Sequence, residues 1–532
     1  MGTRATGTIA QRWLRCGLVA ALLLTAGALV HPATTVRAAT DTVTTCAATG
    51  PGSLPAVLAA AAAGDTITFA QDCTDATAIA LTATLAPTQN ITINAAAPLH
   101  TVTIDGGGKV QLFYVGSGVA LSLRGLTLAN GNSDTSGGAI LTYGTVNITG
   151  CTFAGNGAAF NGGVMYSVGT VNVRNSVFSH NTANVGGAII NNGGTLNVTG
   201  STFAANSART SSGGAIQNFD GTASVAGSTF SDNVASHGGG ALSNGDTLNV
   251  TNSIFSGNSA TGNDYAGGAI VNGTDSTLNV TGSTFSGNTA PISGGAIANS
   301  GLANLAGSTF SGNAVTANSA SLGGALYNAS TGTSNVSGSA FISNSSMYSG
   351  GAIANSGTLN VVNSTFSGNA ASGDLVAGGA LSNGYNGKAN VVGSSFSGNA
   401  ASNDVGGALA NLSGTLRLTL SVVAGNSARF TGPDIVGTVT TDSGGNVIGD
   451  TTGSIGLNPL RNTLNVDPLL APLADNGGRV QTFALMPGSP ASGIAPCPMD
   501  PITMMPLATD ARGVARPQGA SGKCDAGSYQ GA

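Results

Sequence analysis

The sequence predicts an all-β chain wound as a parallel β-helix, and three observations carry that prediction. Phe-x-x-Asn recurs ten times, each copy follows a Gly-Gly pair, and the residues between them alternate apolar and polar. A fixed period of this size is the mark of a repeat architecture.

The Phe positions are Phe153, Phe178, Phe203, Phe230, Phe255, Phe285, Phe310, Phe341, Phe366 and Phe396. Their partners are Asn156, Asn181, Asn206, Asn233, Asn258, Asn288, Asn313, Asn344, Asn369 and Asn399. Five of the nine gaps between successive Phe are 25 residues, and the others are 27, 30, 31 and 30. An eleventh Gly pair, Gly406-Gly407, leads to a degenerate copy with Val423 in place of Phe.

One repeat, read from Gly350, predicts a single rung. Gly350-Gly351 turns the chain, Ala352-Ile353 form a short strand, and Asn355-Ser356-Gly357 turn it again. Thr358-Leu359-Asn360-Val361 alternates as a half-buried strand does, and Phe366 opens a last strand ending at Asn369. Three strands and three turns are therefore expected per rung. A lone rung cannot bury its apolar side, but stacked rungs share one continuous core. Phe is expected to stack along an inside corner, and corner Asn to bond to the rungs above and below. At about 4.8 Å per rung, the repeats from Gly137 onward span roughly 50 Å.

Most length variation falls after Asn. The distance from Phe to the next Gly pair ranges from 8 to 13 residues, whereas Gly pair to Phe ranges from 16 to 18. Insertions at residues 261–264, 315–321 and 372–376 are thus expected on one side of the solenoid.

Composition agrees with strands and turns. Of 532 residues 83 are Gly and only 7% are charged; all 21 acidic residues are Asp. Straight-chain helix formers are scarce. The chain divides into an export signal (1–38), a cap with irregular first rungs (39–136), regular repeats (137–430) and an end module (431–532). In the signal, Arg4, Arg12 and Arg15 precede an apolar run at 16–30, and small residues allow cleavage between Ala38 and Ala39. That run is too short to span a bilayer, and no further apolar span follows. The net charge of −5 becomes −9 once the four Arg of residues 1–38 are removed, which argues against nucleic acid as a partner.

In the cap, residues 53–63 read as a short helix ending at Gly64 and covering the first rung. Strands are expected at Thr66–Phe69, Ile91–Asn94, Val102–Asp105 and residues 121–128. Export permits disulfides, and Cys46 with Cys73, and Cys497 with Cys524, are the expected pairs near the two ends. Cys151, beside Phe153, reads as a buried thiol.

The pairing of GGA[IL] with FxxN over residues 137–426 resembles the repeat of polymorphic outer-membrane proteins, a bacterial surface family of right-handed parallel β-helices. Handedness is implied by this resemblance, since spacing leaves it open. Members typically end in an autotransporter barrel, which this sequence does not show. Asp467-Pro468-Leu469-Leu470, Asp475-Asn476-Gly477-Gly478, Met486-Pro487-Gly488-Ser489-Pro490-Ala491 and Thr509-Asp510-Ala511-Arg512-Gly513 resemble the choice-of-anchor Q domain of bacterial surface proteins. Cys46, Gly50-Pro51-Gly52-Ser53-Leu54 and Gly64-Asp65-Thr66-Ile67 are similar to the opening segment of the same group. The resemblance implies a secreted or cell-surface protein of a bacterial envelope.

Right-handed β-helices also include pectate lyases and polygalacturonases, so polysaccharide cleavage is the alternative. Glycoside hydrolysis needs opposed carboxylates. Asp220, Asp246 and Asp275 come nearest to a shared edge, and Asp232, Asp264, Asp374 and Asp404 are scattered singly. His180 and His237 are isolated in sequence. No phosphate loop, zinc spacing or calcium-binding nonapeptide is present. Asn-x-Thr at Asn147, Asn197, Asn249 and Asn279 recurs at one rung position and reads as strand patterning first. The expectation is a non-enzymatic, adhesin-like or structural solenoid with no cofactor, metal or catalytic residue. It presents a polar face to glycans or envelope components, with self-association left open.

Overall fold

The computed structural model describes residues 38–73, 77–96, 102–262, 266–317, 322–373, 378–403, 405–411, 413–517 and 522–531. The export signal, apart from Ala38, and much of the three insertions lie outside these residues, as do Asp264, Asp374 and Asp404. Residues 38–532 form one compact unit. It is a right-handed parallel β-solenoid of about 15 turns, with a single short helix among the described residues.

Each regular rung carries four strands where three are expected. In the Gly350 rung they are Ile353–Asn355, Thr358–Val362, Thr365–Ser367 and Ala370–Ala371. Stacked rung on rung, they make four sheets of 14, 16, 16 and 12 strands, here called the first to the fourth in that order. The extra strand is only two residues long, and its inward residue is a buried Ala such as Ala371. So short a segment of small residues has no alternation to read.

The Phe column lies inside the third sheet, at the middle of its three-residue strands, and not at a corner. Successive rings are parallel within 9°, with centroids 4.4 to 4.9 Å apart. In-register pairing forces this, because Phe opposes Phe at every step. The same column continues as Leu128 and Ile104 on one side and as Val423 and Ile448 on the other.

Two buried columns of Asn line interior corners. Each Asn of Phe-x-x-Asn donates its side-chain amide to the Asn of the next rung, as Asn288 does to Asn313 Oδ1 at 2.9 Å. The same oxygen accepts the Asn288 backbone N–H at 3.0 Å. Asn313 Nδ2 also donates to the Phe285 carbonyl at 3.0 Å. A second column runs from Asn191 to Asn411 at the end of the first sheet, with steps such as Asn328 to Asn355 at 2.8 Å. Buried amides thus find partners without water, as burial demands.

The second Gly of each pair leaves no room for a side chain. A Cβ on Gly351 would collide with the Gly379 carbonyl oxygen, and one on Gly324 with that of Gly351. The pair is therefore required by packing between rungs as well as by the turn.

The helix spans Leu54–Ala60, ending short of Gly64, and buries Leu54 and Leu58 in the core beside Val43. Asp65 ends it early: its carboxylate accepts the N–H groups of Ala62 and Ala39, each at 2.7 Å, and the chain turns out at Ala61. Residues 121–128 form two strands, Ala120–Arg124 and Leu126–Ala129, because Gly125 takes φ 63° between them.

The parallel ladder runs past residue 430 through Ile435–Thr438 to Thr463–Leu464. The tail that follows forms one antiparallel pair, Leu470–Ala474 with Thr482–Leu485. The contacts of this tail run back along the flank of the solenoid. Leu507 and Cys524 pack on Val362, Val392 and Leu420. Ser528 meets Thr365 and Ser395, and Arg479 reaches Asn252 at 3.3 Å. Outward positions that are Thr149, Thr199 or Thr251 in earlier rungs become Val362 and Val392 here, and the apolar tail covers them. Cystines join Cys46 to Cys73 and Cys497 to Cys524; the second belongs to this flank.

Candidate functional site

The outer face of the second sheet carries a long row of polar side chains. Four of its strands, Thr145–Thr149, Thr195–Thr199, Thr247–Thr251 and Thr277–Thr281, read Thr-x-Asn-x-Thr, and alternation sends positions one, three and five outward while two and four fill the core. The central Asn are half-buried and bonded to one another. Asn172 donates to Asn147 and Asn197 to Asn172, both at 2.9 Å. A second run extends from Asn249 through Asn279, Asn304, Asn335 and Asn360 to Asn390, with bonds of 2.8 to 2.9 Å. Ser224 separates the two runs. The Asn-x-Thr motifs are therefore strand pattern, with their amides engaged in the row.

The outer face of the first sheet differs between its two ends. Its central outward positions in register are Tyr114, Leu141, Tyr166, Ile190 and Gln217, then Ser243. Sequence reading missed this group. The signal was present, since the residue after Gly-Gly-Ala-[Ile/Leu] is large in the early rungs and mostly small later. A cavity of about 410 Å³ opens among these residues.

Asp220, Asp246 and Asp275 do fall in three successive rungs, each after a strand of the first sheet. All three are exposed. Asp246 accepts from its neighbour Thr247 at 3.2 Å. Among the described residues no group of three His, Cys, Asp or Glu is placed to hold a metal ion. His180 is exposed at a corner with φ 55°, and His237 is exposed with its Nδ1 3.2 Å from Ser236 Oγ.

The perturbed groups serve the scaffold. Cys151 heads a buried column of hydroxyls: its N–H donates to Ser176 Oγ at 3.1 Å, as Ser176 N–H does to Ser201. Burial pushes its thiol up. Arg516 is buried in the tail, where it donates to the Asp525 and Gly527 carbonyls at 2.6 Å. Desolvation lowers its guanidinium to about 10.

No helix among the described residues is long and apolar enough to cross a membrane. Comparison with curated proteins returns no match. Residues 282–300 match the Chlamydia polymorphic membrane protein repeat. That stretch holds Phe285, Asn288, the pair Gly294-Gly295 and Asn299, which gives three of the four strands of one turn, with its Phe, both buried Asn and the packed Gly. The other Phe-x-x-Asn copies occupy the same register in the same sheets. The chain is thus a parallel β-solenoid, one stretch of which matches the polymorphic membrane protein repeat.

Proposed function

We propose that this protein is a non-enzymatic component of a bacterial cell surface, adhesin-like in action, that holds glycans or other envelope polymers along its side. The observation that carries this reading is the hydrogen-bonded Asn row of the second sheet, which runs over six successive rungs from Asn249 to Asn390 and is flanked by Thr in several of them. Such a face offers many equivalent weak contacts, and repetition turns weak contacts into avidity. The export signal expected at residues 1–38 and the repeat type both favour an extracellular place. The exposed Asp220, Asp246 and Asp275 are solvated turn residues in this reading.

The test is incubation of the purified protein with insoluble and soluble polysaccharides, neutral and acidic, with and without calcium. Co-sedimentation without new reducing ends or unsaturated products is the expected result. Cleavage would replace this reading with a lyase or hydrolase. Neither binding nor cleavage would leave a rigid spacer.

A further inference from the structure

We propose that the early rungs of the first sheet carry a specific binding cleft for an uncharged glycan chain, walled by Tyr166 and Phe219 and hydrogen-bonded by Gln217. The proposal rests on the glycan-binding reading above. It places recognition on a different face from the Asn row.

The cavity of about 410 Å³ is of the size that holds small ligands. Ile190, 4% exposed, floors it together with Val185. Phe219, 54% exposed, stands at its rim. Tyr166 accepts a hydrogen bond from Asn192 Nδ2 at 2.6 Å, which fixes the ring's tilt. Gln217 is 9% exposed and lines the same cavity, yet among the described residues its side-chain amide meets no protein partner. Its amide is open to the cavity, where it can donate to and accept from a group that enters. Tyr114 and Tyr143, rings 6.2 Å apart and 40% and 46% exposed, continue the aromatic surface along the axis. Beyond Gln217 the outward residues shrink to Ser243 and Gly245, and the surface ends.

The lining selects the ligand class. It contains no charged side chain. An acidic sugar or a peptide terminus would find no counter-ion there. Aromatic faces pack against apolar C–H surfaces, while an amide offers both donor and acceptor. A neutral sugar presents C–H faces and hydroxyls that donate and accept at once. Two aromatic pairs in line suit a chain of such units better than a single one.

The test titrates the purified protein with neutral hexasaccharides of glucose, mannose and N-acetylglucosamine, and with oligogalacturonate as the charged comparison. Tyr166→Ala, Phe219→Ala and Gln217→Leu are expected to weaken the best neutral ligand about tenfold or more, as loss of a central contact does. Tyr166→Phe keeps the stacking ring and should stay within about threefold. Ser345→Ala, exposed on the fourth sheet, should leave this affinity unchanged. Phe219 lies at the surface, so its variant keeps the wild-type melting curve and separates binding from folding. Neutral binding that survives the cleft variants but falls with Thr333→Ala and Thr358→Ala on the second sheet would overturn the cleft and keep the glycan reading. Preference for oligogalacturonate, or for an apolar peptide in the same cleft, would overturn the ligand class. No binding by any glycan would overturn the cleft and the reading beneath it.

Discussion

Asn426 Nδ2 donates to Asp434 Oδ1 at 2.8 Å, and the Asn426 backbone N–H reaches the same oxygen at 3.2 Å. This contact ends the interior column that starts at Asn156. Every Asn in the column accepts from the rung before and donates to the rung after, so the column has a direction. Its last donor needs a group that only accepts, and a carboxylate is such a group. Asp434 is 1% exposed, and burial holds its carboxyl above the usual range against the opposing hydrogen bonds from Asn426 and Asp450.

The pH dependence of Asp434 and Asp65 should therefore have opposite signs. Asp434 titrates higher in the folded chain than in the unfolded one, so the folded state gains stability as pH falls through that value. Asp65 is held below the usual range, first by the Ala39 N–H and then by the Ala62 N–H. Its contribution is present above the unfolded value and fades as pH falls through the folded one. Melting temperatures of wild type, Asp65→Asn and Asp434→Asn between neutral pH and about pH 3 check this. The wild-type advantage over Asp65→Asn should shrink with acid, and that over Asp434→Asn should grow.

Interior and surface Asn rows should respond differently to truncation. Asn313→Ala removes the acceptor of the Asn288 backbone N–H and of one of its two side-chain N–H groups, the other staying on the Phe255 carbonyl, at about 1–3 kcal/mol for each donor left unpaired. Asn335→Ala opens its neighbours to water and should cost under about 1 kcal/mol. Urea unfolding of both variants measures the contrast.

Phe285 is fully buried between Phe255 and Phe310, with centroids at 4.7 and 4.8 Å. Phe285→Ala should cost about 3–5 kcal/mol. Phe285→Leu should be milder, since the column already accommodates Leu128 and Val423. Denaturant midpoints rank the two.

Gly351→Ala places a Cβ against the Gly379 carbonyl, and Gly150→Ala places one in open space at φ 61°. The second should cost only the left-handed strain of about 1–2 kcal/mol. The first should abolish soluble protein, as read by yield and circular dichroism.

Leu507→Asp should free the tail from Val392 and Leu420. Limited proteolysis would then cut within residues 466–531 while the repeats stay resistant.

The repeat period, the stacking of Phe on Phe, and the strand starting at each Thr-Leu-Asn-Val were legible because a parallel in-register stack copies each rung's neighbours from its own sequence. A residue's partner is the same residue one turn away, so periodicity alone identifies it. The fourth strand was not legible, because two small residues carry no alternation. The tail's course was also hidden. It depends on Val362, Val392 and Leu420 facing outward together, and only the winding brings three residues so far apart in sequence onto one flank. The cleft of Tyr166, Gln217 and Phe219 has the same origin. Each residue is a single departure from its repeat, and only stacking turns the departures into one cavity. What the sequence by itself determined was the periodic core, where every contact is local to the repeat. What the tertiary structure decided was everything built from exceptions to it, since exceptions meet only where the rungs place them.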